Sequence, residues 1–166
     1  MSEFQECKDK LLEEAKNLHD RYELSKTITP DFFEPGLMEY PEQSEGIWNE
    51  ETGELLLRFE SKGTRYDGRT EQIESIQVGE KIRIQRDPKN EFNGNNFRLF
   101  TENGKDVGNM PAVLCNVIAP LYDEGSFVID GAKVSFVDPI SKRNRHAKQA
   151  VLFVEMKAKL YAPDTL

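Results

Sequence analysis

The sequence predicts a mainly β domain, a small closed barrel of about six strands with one short inserted helix, preceded by an N-terminal amphipathic helix. Short apolar segments separated by turn signals follow one another from residue 47 onward. Helical periodicity is confined to residues 3–26 and to a short segment after Pro111. Closing six strands into a barrel removes exposed sheet edges, which is why short strands of even spacing favour that architecture.

The first part of the chain, residues 1–46, is predicted to be an extension rather than part of the barrel. Ser2 can cap a helix over residues 3–26, because acidic residues follow it and apolar residues recur at helical spacing. Residues 27–46 contain three prolines and fit no period, so they are interpreted as a connector. The expected organisation is therefore an acidic arm over 1–46 and a barrel over 47–162.

Alternation and turn chemistry predict the strands of the first half of the barrel. Residues 47–49 and 55–59 flank a turn that contains Gly53. Residues 81–86 alternate strictly, which places Ile82 and Ile84 on one face. The dipeptide Asn103-Gly104 is a strong hairpin signal, and it predicts pairing of residues 97–101 with residues 105–108.

The inserted helix is predicted to follow Pro111, with Asn109 as its N-cap and Gly125 ending it. Beyond it, two strands over 126–129 and 133–137 are expected around an Asp130-Gly131 turn. A final strand is predicted over 150–160.

Charge and composition limit the classes of protein to which the chain can belong. The net charge of -8 is uneven, because residues 1–60 carry a balance of -10 and residues 61–166 one of +2. The barrel is therefore close to neutral, and the acidity belongs to the arm. The longest apolar stretch, residues 112–122, is much shorter than the roughly 20 residues of a membrane span. Two distant cysteines exclude a disulfide framework, so a cytoplasmic protein with reduced thiols and no membrane association is expected.

Catalytic motifs are not found. The sequence has no phosphate-binding loop of the Gly-x-x-x-x-Gly-Lys-Ser/Thr type, so any ATP-driven motor must be a partner protein. His19 and His146 are far apart, and neither has a nearby cysteine or paired carboxylate, so no metal is expected. Cys115 lies on an apolar helical stripe and is interpreted as a core residue. We therefore expect a protein without enzymatic activity and without a cofactor.

A basic and aromatic cluster is the strongest functional signal in the barrel. Two aromatic residues, Tyr66 and Phe92, are interleaved with cations on one strand and its following loop, which is the pattern of a stacking platform for single-stranded nucleic acid. The residues also allow a second interpretation, in which both aromatics belong to the core and the cations form an ordinary solvated strand face. The cations are Lys62, Arg65, Arg83, Arg86 and Lys89.

Three segments taken in order resemble the HIRAN domain family. Residues 63–68 read Gly-Thr-Arg-Tyr-Asp-Gly, residues 78–93 begin with Val-Gly and run through Arg-Asp-Pro-Lys-Asn, and residues 104–111 read Gly-Lys-Asp-Val-Gly-Asn-Met-Pro. The ordered combination matches the family pattern over about residues 55–160. The resemblance implies an OB-like barrel that binds single-stranded DNA or the 3′ end of a DNA strand, in proteins of DNA repair and replication-fork remodelling.

The resemblance also implies individual site residues. The stacking aromatics of the family fall on Tyr66 and Phe92, and a neighbouring basic contact falls on Arg65. Asn93 stands where the family commonly has an Asp that receives the terminal hydroxyl, and Asn109 stands where Tyr or His is usual. The full set of candidate nucleic-acid-binding residues is Arg65, Tyr66, Arg86, Lys89, Asn90, Phe92, Asn93 and Asn109.

Two functions therefore stand open at the level of sequence. The first is a non-catalytic module for single-stranded DNA or DNA 3′ ends, working with a helicase or repair partner. The second is a protein-interaction domain that docks a partner, or another copy of itself, through the acidic N-terminal helix.

Overall fold

The computed structural model describes residues 3–28, 49, 51–143 and 146–161. These residues form six strands, three α-helices and one short 3-10 turn over Ile140–Lys142. In chain order the elements are α1 (Glu3–Ile28), β1 (Glu54–Glu60), α2 (Arg69–Ile73), β2 (Ile82–Asp87), β3 (Asn96–Thr101), β4 (Asp106–Asn109), α3 (Ala112–Asp123), β5 (Phe127–Asp138) and β6 (Val151–Leu160).

The strands form two antiparallel sheets of three strands each, in the orders β1-β6-β5 and β2-β3-β4. Single bridges join the sheets at both edges, one between Lys62 and Asn109 and one between Lys81 and Lys133. The predicted mainly β, OB-like architecture with six strands and an inserted helix is confirmed. Its closure is not, because the strand ladder is interrupted at both joins and the sheets do not form one continuous barrel.

Most of the predicted strands and the central hairpin are confirmed. β3 and β4 pair around Asn103-Gly104, where the Gly104 N–H donates to the Thr101 carbonyl at 2.9 Å. Ile82 is buried while its neighbour Arg83 is exposed, as strict alternation requires. Of the first predicted hairpin, residues 47 and 48 lie outside the described residues, and Asn49 begins the turn that leads into β1.

The predicted turn at Asp130-Gly131 is wrong. β5 is one strand of 12 residues, and both of its halves pair with β6. The register shifts between Ile129 and Gly131, which is the signature of a β-bulge. The residues that suggest a hairpin turn therefore place an irregularity within a continuous strand, because pairing with the long β6 outweighs local turn chemistry.

Two helix features also differ from the sequence predictions. The N-cap of α3 is Pro111 without a side-chain cap, so the interpretation of Asn109 as N-cap is wrong. Asn109 ends β4, where its backbone bridges to Lys62. The short helix α2 was not predicted; five residues are too few for a periodic pattern to be recognised.

The helix α1 begins as predicted at residue 3, and its first half packs against α3. Leu11 is completely buried and belongs to the same hydrophobic core as α3 and the sheets. Phe4, Cys7 and Leu12 lie against that core and are partly buried. The first turns of the helix therefore stabilise the folded domain, while the boundary at residues 46 and 47 stays a prediction.

No described helix combines the length and the apolar character needed to cross a bilayer. Within the same residues, no three side chains of the His, Cys, Asp and Glu types are grouped so that they could hold a metal ion. The two cysteines are free thiols, with Cys115 buried.

Candidate nucleic-acid interface

The first exposed aromatic side chain stands on a tight turn between β1 and α2. Tyr66 is 61% exposed, and Arg65 lies with its guanidinium 5.9 Å from the centre of the Tyr66 ring. The turn needs left-handed backbone at Asp67, with a φ of 57°, and at Gly68, with a φ of 73°. Asp is among the few non-glycine residues that adopt left-handed backbone readily, so the pair Asp67-Gly68 suits a turn of this shape.

A buried arginine lies beneath the turn. Arg69 donates to both carboxylate oxygens of Asp106, at 3.0 and 3.2 Å, and to the Gly63 carbonyl at 3.0 Å. Arg98 donates to the same carboxylate at 2.6 Å. The base of the Tyr66 turn is thereby fixed to β3 and β4 by charge-assisted hydrogen bonds.

The protonation of Asp106 follows from these partners. Burial on its own would raise the pKa of this carboxyl, but hydrogen bonds from Arg69 and Arg98, and from the Gly108 N–H, lower the pKa below its ordinary value of 3.8. Asp106 is thus a carboxylate at neutral pH, as the contact with two guanidinium groups requires.

The second exposed aromatic side chain stands on the loop between β2 and β3. Phe92 is 88% exposed, which is unusual for so large an apolar side chain. Its position is set by Asn90, whose Oδ1 accepts the backbone N–H groups of Phe92 and Asn93, both at 3.0 Å. The Nδ2 group of Asn90 donates to Asp87 at 3.0 Å. Asn90 therefore shapes the loop as an Asx turn.

Further amides tie this loop to the inserted helix. Asn93 Oδ1 accepts the backbone N–H of Asn95 at 3.0 Å, and Asn93 Nδ2 donates to Asn116 Oδ1 on α3 at 3.0 Å. Asn95 Nδ2 also approaches Asn116 Oδ1, at 3.4 Å. These neutral amides therefore tie the loop that carries Phe92 to α3.

Asn109 connects the two aromatic loops. Its Oδ1 accepts a hydrogen bond from Asn96 Nδ2 at 2.9 Å, and Asn96 Nδ2 also donates to Asp87 at 3.2 Å. The Asn109 backbone pairs with Lys62, which directly precedes the Tyr66 turn. The candidate residues Asn109 and Asn90 therefore belong to one hydrogen-bonded unit, together with Asp87 and Asn96.

Arg86, predicted as a nucleic-acid contact, is used inside the protein. It donates to both carboxylate oxygens of Asp123, at 3.0 and 3.1 Å, and to the carbonyls of Gly94 and Asn96, at 2.7 and 3.2 Å. Its guanidinium also lies 5.5 Å from the centre of the Phe97 ring. All of these contacts brace the Phe92 loop against α3 and β3, so the geometry makes Arg86 a positioning residue.

The remaining cations differ in how freely they can meet an anionic ligand. Lys62, Arg65 and Lys89 are exposed on or beside the two loops. Arg83 is exposed on β2 and lies with its guanidinium 5.2 Å from the centre of the Phe100 ring. Among the described residues, Lys62 has one carboxylate nearby, Glu60 at 3.9 Å.

A buried thiol lies under the amide loop. Cys115 is completely buried, with its Sγ 3.4 Å from the Met110 carbonyl oxygen. Burial raises the pKa of this thiol to about 11, so it stays protonated at neutral pH. The interpretation of Cys115 as a core residue is confirmed, and a reactive thiolate is not available there.

Three residues that shape the site were missing from the sequence predictions. Arg69 and Asp106 hold the Tyr66 turn, and Asn116 receives the amides of the Phe92 loop. Arg69 and Asp106 are 37 positions apart, and Asn116 is 23 from Asn93. No local pattern links residues so distant, although a lone Asn on the apolar segment that forms α3 was a visible signal.

Comparison with solved structures finds similar chains. The crystal structure of the HIRAN domain of human HLTF is 23% identical, covers 64% of this chain and 81% of its own, and superposes with a TM-score of 0.45. A crystal structure of a protein from Lactobacillus plantarum is 18% identical, covers 63% of this chain and 98% of its own, and has a TM-score of 0.47. A comparison with curated protein sequences finds no match.

The family model provides the assignment. The HIRAN domain model matches residues 55–154. This range contains β2 to β5, nearly all of β1, the first four residues of β6 and both loops that carry the exposed aromatics. The match includes more than half of the chain, as the segments around residues 63–68, 78–93 and 104–111 predict. The chain is a member of the HIRAN domain family.

Proposed function

We propose that this protein is a non-catalytic nucleic-acid-binding module for single-stranded DNA or a DNA 3′ end. One observation carries the proposal: Tyr66 and Phe92, exposed by 61% and 88%, stand on two loops that the Asn109 contacts hold together. Exposing two large aromatic rings on braced loops is unfavourable for a folded chain in water, so a stacking ligand is the simplest reason for it.

The chemistry around the rings suits a single strand better than a duplex. Unpaired bases offer flat faces that stack on aromatic side chains, whereas the bases of a duplex are already stacked on each other. Lys62, Arg65 and Lys89 lie on or beside the same two loops and can meet phosphates. Because these cations are few, stacking contributes more of the affinity than charge does.

The biological context that we propose is DNA repair or replication-fork processing, with a helicase or repair protein as the partner. Membership of the HIRAN family supports this context. The competing proposal, docking through the N-terminal helix, has less support, because the apolar residues described in its first half already pack on the domain.

Fluorescence anisotropy with short single strands and the matching duplex, at low and moderate salt, tests the proposal. Tyr66→Ala and Phe92→Ala should each weaken single-strand binding by about 1 to 3 kcal/mol, the usual contribution of a stacked base. Tyr161→Ala is the matched control, because this tyrosine is 39% exposed on the segment after β6 and should leave binding unchanged.

Two results would overturn the proposal. One is the absence of binding to any single strand at low salt, and the other is binding that both loop variants leave unchanged. The test uses point variants of the whole chain, because deletion of residues 1–46 would remove Leu11 from the core and confound loss of binding with loss of folding.

A further inference from the structure

The strands β2 and β5 are sheet edges that face each other at the second join between the sheets. Among the described residues β2 pairs with β3, β5 pairs with β6, and a single bridge at Lys81 and Lys133 joins the two edges. Beside that bridge the Val134 N–H donates to the Glu80 carbonyl at 2.8 Å. Beyond it, both edges keep backbone groups that pair with no strand in the described chain.

The β-bulge in β5 lies next to this bridge. The register of β5 against β6 shifts between Ile129 and Gly131, two residues before Lys133. A bulge bends its strand and interrupts regular pairing. The pairing of β5 with β2 also stops at the bridge, so the residues Asp130-Gly131 mark the point where the two edges separate.

A groove lies between the separated edges. One part has a volume of about 770 Å³, and the part beside it has a volume of about 490 Å³. Apolar side chains line the second part, among them Ile84 and Ile129, which are partly buried, and Val128, which is 41% exposed. An apolar floor between open strand edges suits an extended chain. The two parts are continuous because they share Ile82, Arg83, Gly131 and Ala132.

The groove has an excess of positive charge. Of its three carboxylates, Glu102 lies 3.9 Å from Lys81, and Glu155 lies 3.1 Å from Arg58, which stands outside the groove. The third, Asp130, has no ion pair among the described residues. Three of the cations therefore face a single uncompensated carboxylate, which favours an anionic ligand. The cations that line the groove are Lys81, Arg83, Lys133 and Lys157.

A second copy of the chain and a nucleic acid both match the groove less well than a peptide does. Pairing two β2 edges would bring Lys81 and Arg83 toward the same cations of the other copy, and like charges repel. Stacking of bases needs free aromatic faces. Of the aromatic side chains in the lining, Phe127 is buried, and Tyr122 packs edge-on against Phe97 at 5.2 Å between ring centres.

We propose that the groove between β2 and β5 binds an extended acidic peptide of a partner protein, which adds a strand to the open edges. The peptide backbone pairs with the edges, and its side chains alternate between the apolar floor and the surrounding cations. This site is separate from the Tyr66 turn and the Phe92 loop, so the inference does not depend on the proposed function.

Fluorescence anisotropy with short labelled peptides tests the inference. The main probe alternates Glu and Val, a second has the same sequence with every backbone nitrogen methylated, and a third alternates Lys and Val. Methylation keeps the side chains and the charge but removes the backbone donors that a strand needs. The Glu-Val probe should bind about tenfold tighter than either of the others. Amide hydrogen exchange should slow in residues 82–86 and 127–132 when it binds.

Charge reversal on the groove is the decisive change. Lys133→Glu and Lys157→Glu alter two exposed side chains of the lining, so each should weaken binding of the Glu-Val probe by about tenfold and strengthen binding of the Lys-Val probe. Lys142→Glu is the matched control, because this lysine is exposed on the 3-10 turn and is not part of the lining. Circular dichroism and thermal unfolding verify that the three variants are folded.

Several outcomes would overturn the inference. They are no binding of the Glu-Val probe at millimolar concentration, equal binding of its methylated form, and an equal loss in Lys142→Glu. Displacement of the bound peptide by single-stranded DNA would overturn it too, because the groove would then belong to the nucleic-acid interface. Tyr66→Ala and Phe92→Ala should bind the peptide like the wild type, whereas their loss of DNA binding tests the proposed function separately.

Discussion

The Tyr66 turn and the Phe92 loop present similar aromatic faces but are held by different chemistry. Beneath the turn, one buried guanidinium of Arg69 binds a carboxylate that Arg98 also contacts. The Phe92 loop is held mainly by neutral amides, with the Arg86–Asp123 pair bracing its base. Two exposed rings can therefore differ in how sensitive their loops are to substitution and to pH. A buried charge that loses its partner costs more free energy than an amide that loses one.

The largest effect is expected where the two loops join. Gly108 has a φ of 125°, and a Cβ there would overlap Ser61 Oγ and lie 2.8 Å from the Lys62 carbonyl oxygen. Gly108→Ala should therefore lower the free energy of unfolding by about 4 kcal/mol, through backbone strain and displacement of β4. Urea unfolding measures the loss.

Gly104→Ala provides the matched control for that substitution. Gly104 also has a positive φ, 83°, but nothing lies within 4 Å of the added carbon, so only the backbone cost of about 1 kcal/mol is expected. If both variants lose the same free energy of unfolding, the close contact of β4 with residues 61–62 does not limit stability.

The second-largest effect should distinguish the Tyr66 turn from the Phe92 loop. Arg69→Ala leaves the Asp106 carboxylate with one guanidinium partner and should cost about 3 kcal/mol, the usual result of breaking a buried ion pair. Amide hydrogen exchange should rise in residues 63–70 more than in residues 87–96. Lys81→Ala is the control, because its ion pair with Glu102 is exposed and contributes little. A uniform rise across both loops would contradict the comparison.

The smallest effect is a dependence on pH. The folded pKa of Asp106 lies below its ordinary value of 3.8, so its contribution to stability is complete well above pH 3.8 and is lost as the pH falls through the folded pKa. Unfolding in urea at neutral pH and near pH 3 measures this loss. In Arg69→Ala, acid should lower the free energy of unfolding by less than in the wild type. If acid lowers it equally in both proteins, the acid dependence belongs to other carboxylates.

Sequence patterns predicted the elements that depend on residues close together in the chain. The Asn103-Gly104 hairpin, the alternation around Ile82 and the amphipathic helix from residue 3 all depend on neighbours within a few positions, and the structure confirms them. The Asp130-Gly131 turn failed because a long partner strand, β6, determines the path of the chain there. Turn residues are compatible with a bulge as well as with a turn, and the sequence does not distinguish the two.

The site was predicted in outline only. The turn signals around Tyr66 and Phe92 and the family pattern predict these two residues, and their exposure excludes the alternative that both belong to the core. The sequence gives no sign that Arg86 is used internally or that Arg69 lies under the turn, since their carboxylate partners are 37 positions away in each case. Which residues meet across 37 positions depends on how the two sheets pack against each other.

The burial of Leu11 has a consequence for protein engineering. A designer who wished to graft this domain into another protein could not cut at the apparent edge of the β-rich region, because the graft would carry an uncovered apolar patch on α3. The portable unit includes the first three turns of α1, and any protein fused to the N-terminus must leave those turns free to pack.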